Sequence, residues 1–470
     1  MDVPSKNSFL RKSSLPCWNA LKSIRPFESS EGSDPSNKEH RVQQRRPNGT
    51  QRNYDPLNDL VFARSQAEFV WDVEGNKYVD MIGGYSACNL GHGHPRLVEA
   101  ACQQLNKLTW AHGGESLERQ TLENALACLW DQDRHRLASE PSKTKVWLTL
   151  SGARAIEIAW KIAYANKPGA AVRLDLAYHG RSLATAYLSD TDRSGALGPT
   201  DPLKAPSTIP FPRHPHGACG PILADGSANR LCKECLACLQ EARSVFAKKA
   251  SISSMLFIEP AIGARGYYFA AASFMQQLVE LARSYGLTII SDEIQMGLRR
   301  TGPMFAGRAQ GWEADIVVLG KSLGGGIAPI AAVIADSHWI DSLGPGIESE
   351  TFAAYPLACR IAIETLEILQ DKKLPEEIER KGRAFRNQLR TQLAPEITVD
   401  GVGLASCISL ENLPLSGIKQ AYAIVKSLAT QGVLVHLTGP MRNRIALIPS
   451  LLISDPSLED SAKKIIHAFG

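Results

Sequence analysis

The chain has 470 residues, of which 44% are hydrophobic and 21% are charged, a composition typical of a globular protein with a large core. Lys and Arg outnumber Asp and Glu by 52 to 48, yet residues 1–50 alone hold nine basic and five acidic residues. The whole positive excess therefore lies in this tail, and the remainder of the chain is neutral. A neutral body excludes the electrostatic basis for a nucleic-acid partner.

The N-terminal segment and the cysteines indicate the cellular compartment of the protein. No run of 18 apolar residues is present, so we expect no membrane span. The ten cysteines are scattered and no secretory signal precedes them, which favours a cytoplasmic protein. Residues 9–27 weakly resemble a transit peptide, but Pro16 and the acidic residues that follow argue against one. We expect residues 1–53 to form a disordered basic tail.

The first ordered elements are expected after residue 54. Residues 68–80 predict two short strands that are joined at the turn 74–76. The Gly- and His-rich stretch 81–95 predicts a loop. Helical periodicity follows over residues 97–105 and 117–130.

From residue 146 onward, short apolar runs alternate with helical stretches, which is the signature of a doubly wound, mainly parallel sheet. We predict strands at 146–150, 172–176, 255–258, 287–290 and 316–319, and helices at 153–165, 272–285 and 357–369. The predicted domains are the tail (1–53), the N-terminal part of a small domain (54–105), a large doubly wound domain (106–340) and the C-terminal part of an α+β small domain (341–470).

Polar residues follow the ends of these strands, where open α/β sheets bind ligands. Lys321 stands between Gly320 and Ser322, which suggests a nucleotide-binding P-loop, but that motif requires glycine where this chain has Asp315. A lysine among glycines at a strand end can instead form an imine with an aldehyde, provided that its amine is neutral. A lysine in such a turn is more often merely solvated.

Two further features follow the same pattern. Asp292 comes after four apolar residues and either caps the next segment or holds a proton on the ring nitrogen of a cofactor. Gln295 lies on the same segment, where it could donate a hydrogen bond to a ring oxygen.

The other two features are weak when taken alone. The turn Ser151-Gly152-Ala153 stands between a strand and a helix, where free N–H groups suit a phosphate, although any strand-to-helix turn has this composition. Tyr178, followed by His179, could lie on a planar cofactor ring or simply pack against the protein.

Together, these features resemble the class III aminotransferases, the group of the ornithine, acetylornithine and 4-aminobutyrate aminotransferases, from about residue 60 to 460. The matching motifs are Asn89–Pro95, Ser151–Ala153, Tyr178–Gly180, Glu259-Pro260, Ser291–Gly302, Lys321–Gly326 and Thr351–Cys359.

The resemblance implies a pyridoxal phosphate (PLP) dependent transferase of fold type I. Lys321 would form the internal aldimine, and an amino group would pass from an amine or amino-acid donor to a keto acceptor through pyridoxamine phosphate. Asp292 would pair with the pyridine nitrogen and Gln295 would contact the phenolic oxygen.

Further roles are implied for the surrounding residues. The N–H groups of Gly152 and Ala153, beside Ser151, would hold the phosphate. Tyr178 would stack on the ring with His179 beside it, and Glu259 would lie near Asp292. Thr351 would complete the phosphate site of the neighbouring subunit, which implies a homodimer or a higher oligomer.

Three other functions remain open from the sequence. An aminomutase and a decarboxylase use the same fold and the same active-site residues. A non-catalytic scaffold is a third alternative, although a scaffold has no physical need for Lys321 and Asp292.

Departures from the family pattern affect the substrate side. Ala446 stands where the family has an arginine that binds a substrate carboxylate, and Ala264 stands where some members carry a glutamate that pairs with it. Loss of both partners avoids an uncompensated charge. We infer that the usual clamp is absent, so that Arg265 or Arg444 replaces it or the substrate lacks that carboxylate.

Two other features leave alternatives. Arg154 replaces an acidic residue of the family and either contacts phosphate or, as we favour, points to solvent. Cys219, Cys232, Cys235 and Cys238 resemble zinc ligands in their spacing, with His214 and His216 upstream. The residues after Cys235 have helical periodicity, so we expect no metal.

Overall fold

The computed structural model describes residues 57, 60–111, 114–132, 143–190, 206–213, 231–413 and 417–470. The predicted tail at 1–53 lies outside the described residues. Tyr54–Gly470 clusters as one compact unit, and the domain boundaries within it remain a prediction. Among the described residues, every helix is too short or too polar to cross a bilayer.

The described strands are numbered in chain order. They are β1 (Phe62–Gln66), β2 (Phe69–Asp72), β3 (Lys77–Asp80), β4 (Thr144–Thr149), β5 (Ala170–Leu174), β6 (Ser207–Ile209), β7 (Ser253–Ile258), β8 (Thr288–Asp292), β9 (Ile316–Leu319), β10 (Ala331–Asp336), β11 (Thr398–Val402), β12 (Ala405–Ser409), β13 (Val433–Leu434), β14 (His436–Thr438) and β15 (Arg444–Leu447).

The described helices are numbered separately. They are α1 (Pro95–Lys107), α2 (Leu117–Gln132), α3 (Gly152–Asn166), α4 (Leu183–Leu188), α5 (Lys233–Lys249), α6 (Ala272–Ser284), α7 (Ala306–Ala309), α8 (Ser337–Ile340), α9 (Pro356–Leu369), α10 (Leu374–Gln392), α11 (Gly417–Thr430) and α12 (Asp455–Phe469). Short helical turns also occur at Gly83–Ser86 and Lys321–Gly324.

The large sheet has the strand order β4-β10-β9-β8-β7-β5-β6. Neighbours among β9, β8, β7, β5 and β6 pair in parallel, whereas β10 is antiparallel to both β4 and β9. Six strands therefore share one direction, which confirms the predicted mainly parallel sheet. The sequence analysis did not predict β10.

Both faces of this sheet are covered, as the alternation along β7 shows. Leu256 and Ile258 pack into one apolar cluster, while Met255 and Phe257 pack into a second. Strands buried on both faces carry continuous apolar runs rather than alternating polar ones. The polar groups of the sheet are therefore concentrated at the strand ends.

Two smaller sheets lie outside the doubly wound part. Their orders are β1-β2-β3-β13 and β11-β12-β15-β14. Val433 of β13 pairs in parallel with Val79 of β3, and this pairing joins chain segments that are far apart in sequence. It joins the two segments that the sequence analysis assigned to one small domain.

A substitution at Gly382 tests how tightly α10 packs against the backbone at Gly403. A Cβ atom at Gly382 would lie 1.8 Å from the carbonyl oxygen of Gly403. We expect Gly382→Ala to lower the free energy of unfolding by about 3 kcal/mol, because overpacking outweighs the better helix propensity of alanine. The shift of the urea midpoint measures the loss.

Gly344→Ala is the matched control, because the nearest atom to its added Cβ would be 3.7 Å away, in ordinary contact. Its effect should stay within about 0.5 kcal/mol. Equal midpoints for the two variants would show that the α10 contact is not tight.

Candidate active site

One edge of the large sheet gathers the residues that the sequence analysis selected. Because six strands run in the same direction, their carboxyl ends meet at that edge. The selected residues lie at or just beyond these ends: Ser151 after β4, Tyr178 and His179 after β5, Glu259 after β7, Asp292 at the end of β8, and Lys321 after β9. The strand that contains the apolar run 287–290 ends at Asp292, as predicted.

Asp292 and His179 form a direct pair. The His179 Nδ1 and Asp292 Oδ2 atoms are 2.7 Å apart, and both side chains are buried. Asp292 Oδ1 accepts a hydrogen bond from the Ile294 N–H at 3.1 Å. His179 Nε2 is buried and has no hydrogen-bond partner in the part of the chain that the structure describes. The sequence analysis placed His179 beside the ring but missed this contact, which joins residues 113 positions apart.

Glu259 is the second buried carboxylate at this edge. It accepts hydrogen bonds from the N–H groups of Tyr178 (2.9 Å) and Gly263 (3.1 Å). Burial raises the pKa of Glu259 above its usual value. The carboxylate thus fixes the backbone that carries Tyr178, whose half-buried ring stays partly accessible.

Lys321 begins a short helical turn directly after β9. Its φ of 43° lies in the left-handed region, which is uncommon for a residue with a side chain. Burial lowers the pKa of Lys321 to about 8, and the charges of Asp292 and Glu259 offset a part of this effect. A neutral amine is therefore accessible near physiological pH.

The turn at residues 151–153 caps α3. Ser151 Oγ accepts a hydrogen bond from the Arg154 N–H at 3.3 Å. The first N–H group to donate within the helix is that of Ala155, to the Ser151 carbonyl at 2.9 Å. The N–H groups of Gly152 and Ala153 come before it, so they have no intrahelical acceptor and lie at the positive end of the helix. A Cβ at Gly152 would lie 2.7 Å from Ile294 Cδ1, so a larger residue would require the Ile294 side chain to shift.

Gln295 is held by a residue that the sequence analysis missed. Its Nε2 atom donates a hydrogen bond to the Tyr267 hydroxyl at 2.6 Å. Burial raises the pKa of Tyr267, so the phenol remains neutral. No pattern in the sequence marked Tyr267, because its hydroxyl meets Gln295 only through the packing of two separate loops.

Thr351 follows Glu350, whose carboxylate accepts a hydrogen bond from the Leu150 N–H next to the turn at 151–153. It is exposed and lines a cavity of about 260 Å³ together with Trp110, Arg119 and Tyr355. Lys321, Asp292 and Tyr178 are not among the residues that line this cavity.

Arg154 does not point to solvent, so the sequence-based preference was wrong. Its Nη1 lies 3.0 Å from Glu157, its Nε lies 3.3 Å from Glu350, and its Nη2 donates to Glu348. Three carboxylates therefore surround a guanidinium that is 27% exposed. Glu157 lies on the same helix, whereas Glu348 and Glu350 come from a distant segment, and their negative charges draw the side chain back onto the protein.

Arg444 is already fully engaged. It is buried and contacts Glu411 through Nη1 at 2.5 Å, while Nε donates to the Gly266 carbonyl at 2.6 Å. Its guanidinium also lies 4.0 Å from the Tyr268 ring centroid. Arg444 therefore serves the packing of β15, and it has little capacity left for a substrate.

Ala446 stands where the family has its carboxylate-binding arginine, and the surroundings of Ala446 are apolar. The Ala446 side chain is fully buried in a cluster with Tyr267, Ile448 and Ala405. Of the two arginines that could replace the clamp, Arg265 is the one without an ion pair among the described residues, and its Nε is buried without a hydrogen-bond partner.

The cysteine-rich segment begins α5, as its helical periodicity predicted. Cys232 caps the helix, and Cys235 and Cys238 are buried in it. Among the described residues, no three His, Cys, Asp or Glu side chains cluster as metal ligands would. Cys219, His214 and His216 lie outside the described residues.

The site fits a phosphorylated aldehyde cofactor. A lysine with a lowered pKa follows one strand, a buried carboxylate ends the next, and a capped turn presents outward N–H groups. The orphaned Nε2 of His179 is a further polar group available at this edge. On a mainly parallel, doubly wound sheet, this arrangement is that of a PLP-dependent enzyme of fold type I.

Comparison with known proteins identifies the family. The model of the aminotransferase class-III family matches residues 50–469, so the chain belongs to the class III aminotransferases. The mitochondrial ornithine aminotransferase of Arabidopsis thaliana is 30% identical over 429 residues, which span 88% of this chain and 81% of that protein.

Solved structures agree with this assignment. Ornithine aminotransferase from Toxoplasma gondii, described with partial occupancy of PLP at its active site, superposes with a TM-score of 0.74 at 28% identity and covers 90% of this chain and 92% of that one. Acetylornithine aminotransferase from Elizabethkingia anophelis gives a TM-score of 0.70 at 30% identity, covering 89% and 96%.

The chain is thus a PLP-dependent aminotransferase that acts on small-molecule amine and keto substrates. The predicted family, fold class, activity and cofactor are confirmed. Neither the described structure nor the comparisons favour the aminomutase, decarboxylase or scaffold alternatives.

A substitution tests the structural role of Arg444. We expect Arg444→Met to lower the free energy of unfolding by about 3 kcal/mol, because Glu411 and two backbone carbonyls lose their buried partner. The change in urea midpoint gives the value. Arg283→Met is the control, since Arg283 pairs with Asp315 at the surface and should contribute less than about 1 kcal/mol. A stable Arg444→Met protein would contradict the structural role.

Proposed function

We propose that Lys321 binds the cofactor covalently and moves the proton in both halves of the amino-transfer cycle. The observation that carries this proposal is the Lys321 amine, which has a pKa lowered to about 8, next to the strand that ends in Asp292. A lysine whose pKa lies close to the working pH can release and accept protons efficiently. The reaction moves an amino group from an amine or amino-acid donor to a keto acceptor.

The bound PLP supplies a ring that delocalises the electron pair left when a proton leaves the donor carbon. Asp292 keeps the ring nitrogen protonated, and its paired His179 holds one carboxylate oxygen in place. Tyr178 covers the ring, and Glu259 fixes the Tyr178 backbone. Gln295, oriented by Tyr267, binds the phenolic oxygen.

The phosphate lies at the start of α3 in this proposal. The outward N–H groups of Gly152 and Ala153, next to Ser151, donate to it. Thr351 of a second copy completes the site, so the working unit is a homodimer. In support, Thr351 is exposed and lines a cavity that Lys321 does not reach in its own chain.

We also propose that the enzyme works in the cytoplasm. Among the described residues, free thiols occur at Cys88, Cys102, Cys128, Cys238, Cys359 and Cys407, and reduced thiols are typical of that compartment.

Borohydride reduction tests the covalent role of Lys321. Reduction of the holoprotein should fix a pyridoxyl group on Lys321, and peptide mass spectrometry should locate it there. During reconstitution of the apoprotein, the rate of trapping should rise with pH and level off above about 8, since the neutral amine is the nucleophile.

Lys167→Ala, an exposed lysine that donates to the Gly286 carbonyl, is the control and should be labelled like the wild type. Lys321→Ala should leave no label. A pyridoxyl group on another residue, or none in the wild type, would refute the proposal.

The apolar surroundings of Ala446 predict weak binding of a dicarboxylate acceptor. We expect 2-oxoglutarate not to saturate the second half-reaction in the micromolar range, because Ala446 and Ala264 leave the clamp position without charge. Stopped-flow measurement with the amino form of the enzyme gives the apparent affinity.

The control variant is Ala446→Arg/Ala264→Glu, which restores both charged partners together. It should tighten the apparent binding of 2-oxoglutarate by about tenfold or more. Saturation of the wild type at micromolar concentrations would show that another group already binds the carboxylate.

A further inference from the structure

A charged network joins α3 to the segment that precedes Thr351. We call it the Arg154 network; it comprises Arg154, Glu157, Lys161, Glu348 and Glu350. Glu348 receives Arg154 on one carboxylate oxygen and Lys161 on the other. Its side chain is only 1% exposed, so the two cations compensate a charge that has lost its hydration.

Glu350 connects the Arg154 network to the start of α3. Its Oε2 atom accepts from the Thr149 hydroxyl and from the Leu150 N–H at 3.4 Å, while its Oε1 lies 3.3 Å from Arg154 Nε. Thr149 and Leu150 directly precede the turn at 151–153. One carboxylate therefore holds the backbone that leads into this turn, and Arg154 holds the carboxylate.

Arg154 reaches the same turn from its other side. Its own N–H caps onto Ser151 Oγ, and its guanidinium returns to Glu350. The main chain of residue 154 thus contacts one end of the turn, and its guanidinium, through Glu350, contacts the other. Without that arginine, three carboxylates would face Lys161 alone, and the freed Glu350 would stand near the outward N–H groups, where like charge disfavours an anion.

We propose that Arg154 is a positioning residue for the phosphate of the cofactor. It fixes the turn at 151–153 through Glu350 and neutralises the acids beside it, although it does not itself contact the phosphate. This inference rests on the proposed binding of phosphate by Gly152 and Ala153.

Binding of two aldehydes that differ only in the phosphate tests the inference. The dissociation constants of PLP and of pyridoxal, which lacks the phosphate, are measured by fluorescence titration of apoprotein. Arg154→Met should weaken PLP by about tenfold or more but pyridoxal by less than about twofold, because only PLP uses the turn. A merely structural role would weaken both aldehydes equally.

Two further variants separate position from charge and from stability. Lys161→Met also removes one positive charge that faces Glu348, but it leaves the contact between Arg154 and Glu350. The affinity for PLP should therefore change by less than about threefold. Arg154→Lys keeps the charge, but an ammonium has all its donors on one nitrogen and cannot span the three carboxylates that Nε, Nη1 and Nη2 of the guanidinium reach separately. It should fold and show an intermediate loss for PLP.

The outcomes are distinct. Unchanged PLP affinity in Arg154→Met overturns the inference. If Arg154→Met does not fold, unchanged PLP affinity in Arg154→Lys overturns it. Equal losses for PLP and pyridoxal, or an equal loss in Lys161→Met, also overturn it. A wild type that binds PLP no better than pyridoxal would instead refute the proposed phosphate site, and the inference would fall with it.

Discussion

The amine of Lys321 is the group around which the active edge is built. Burial favours its neutral form because a desolvated ammonium loses its hydration, whereas the charges of Asp292 and Glu259 favour the protonated form. The pKa of about 8 is the balance of these effects. Both carboxylates are themselves buried, so each needs the hydrogen bonds that it receives: Asp292 from Ile294 and its pairing with His179, and Glu259 from Tyr178 and Gly263.

That balance depends on the order of the strands. β7, β8 and β9 are neighbours, so Glu259, Asp292 and Lys321 reach the same edge although about 60 residues of sequence separate the first from the last. Both faces of the sheet are covered by apolar clusters. Polar chemistry is therefore confined to the strand ends, where the loops remain free to present it.

Two arginines show how a guanidinium acquires a role from its surroundings. Arg444 is enclosed by Glu411, two carbonyls and the Tyr268 ring, and it stabilises the packing of β15. Arg154 binds three carboxylates at the start of α3, next to the turn at 151–153. Each has the same side chain, and only the acids and carbonyls brought near it differ.

The sequence by itself determined the mainly parallel sheet, the helices that cover it and the residues that follow its strands, because continuous apolar runs and glycine turns are local patterns. It also indicated Lys321, Asp292 and the turn at 151–153, each by its position after a predicted strand. Only the tertiary structure decided β10, the His179–Asp292 contact, the support of Gln295 by Tyr267 and the inward course of Arg154. Each of these depends on partners far away in the chain, and side-chain contacts of that kind leave no periodicity in the sequence for a pattern to detect.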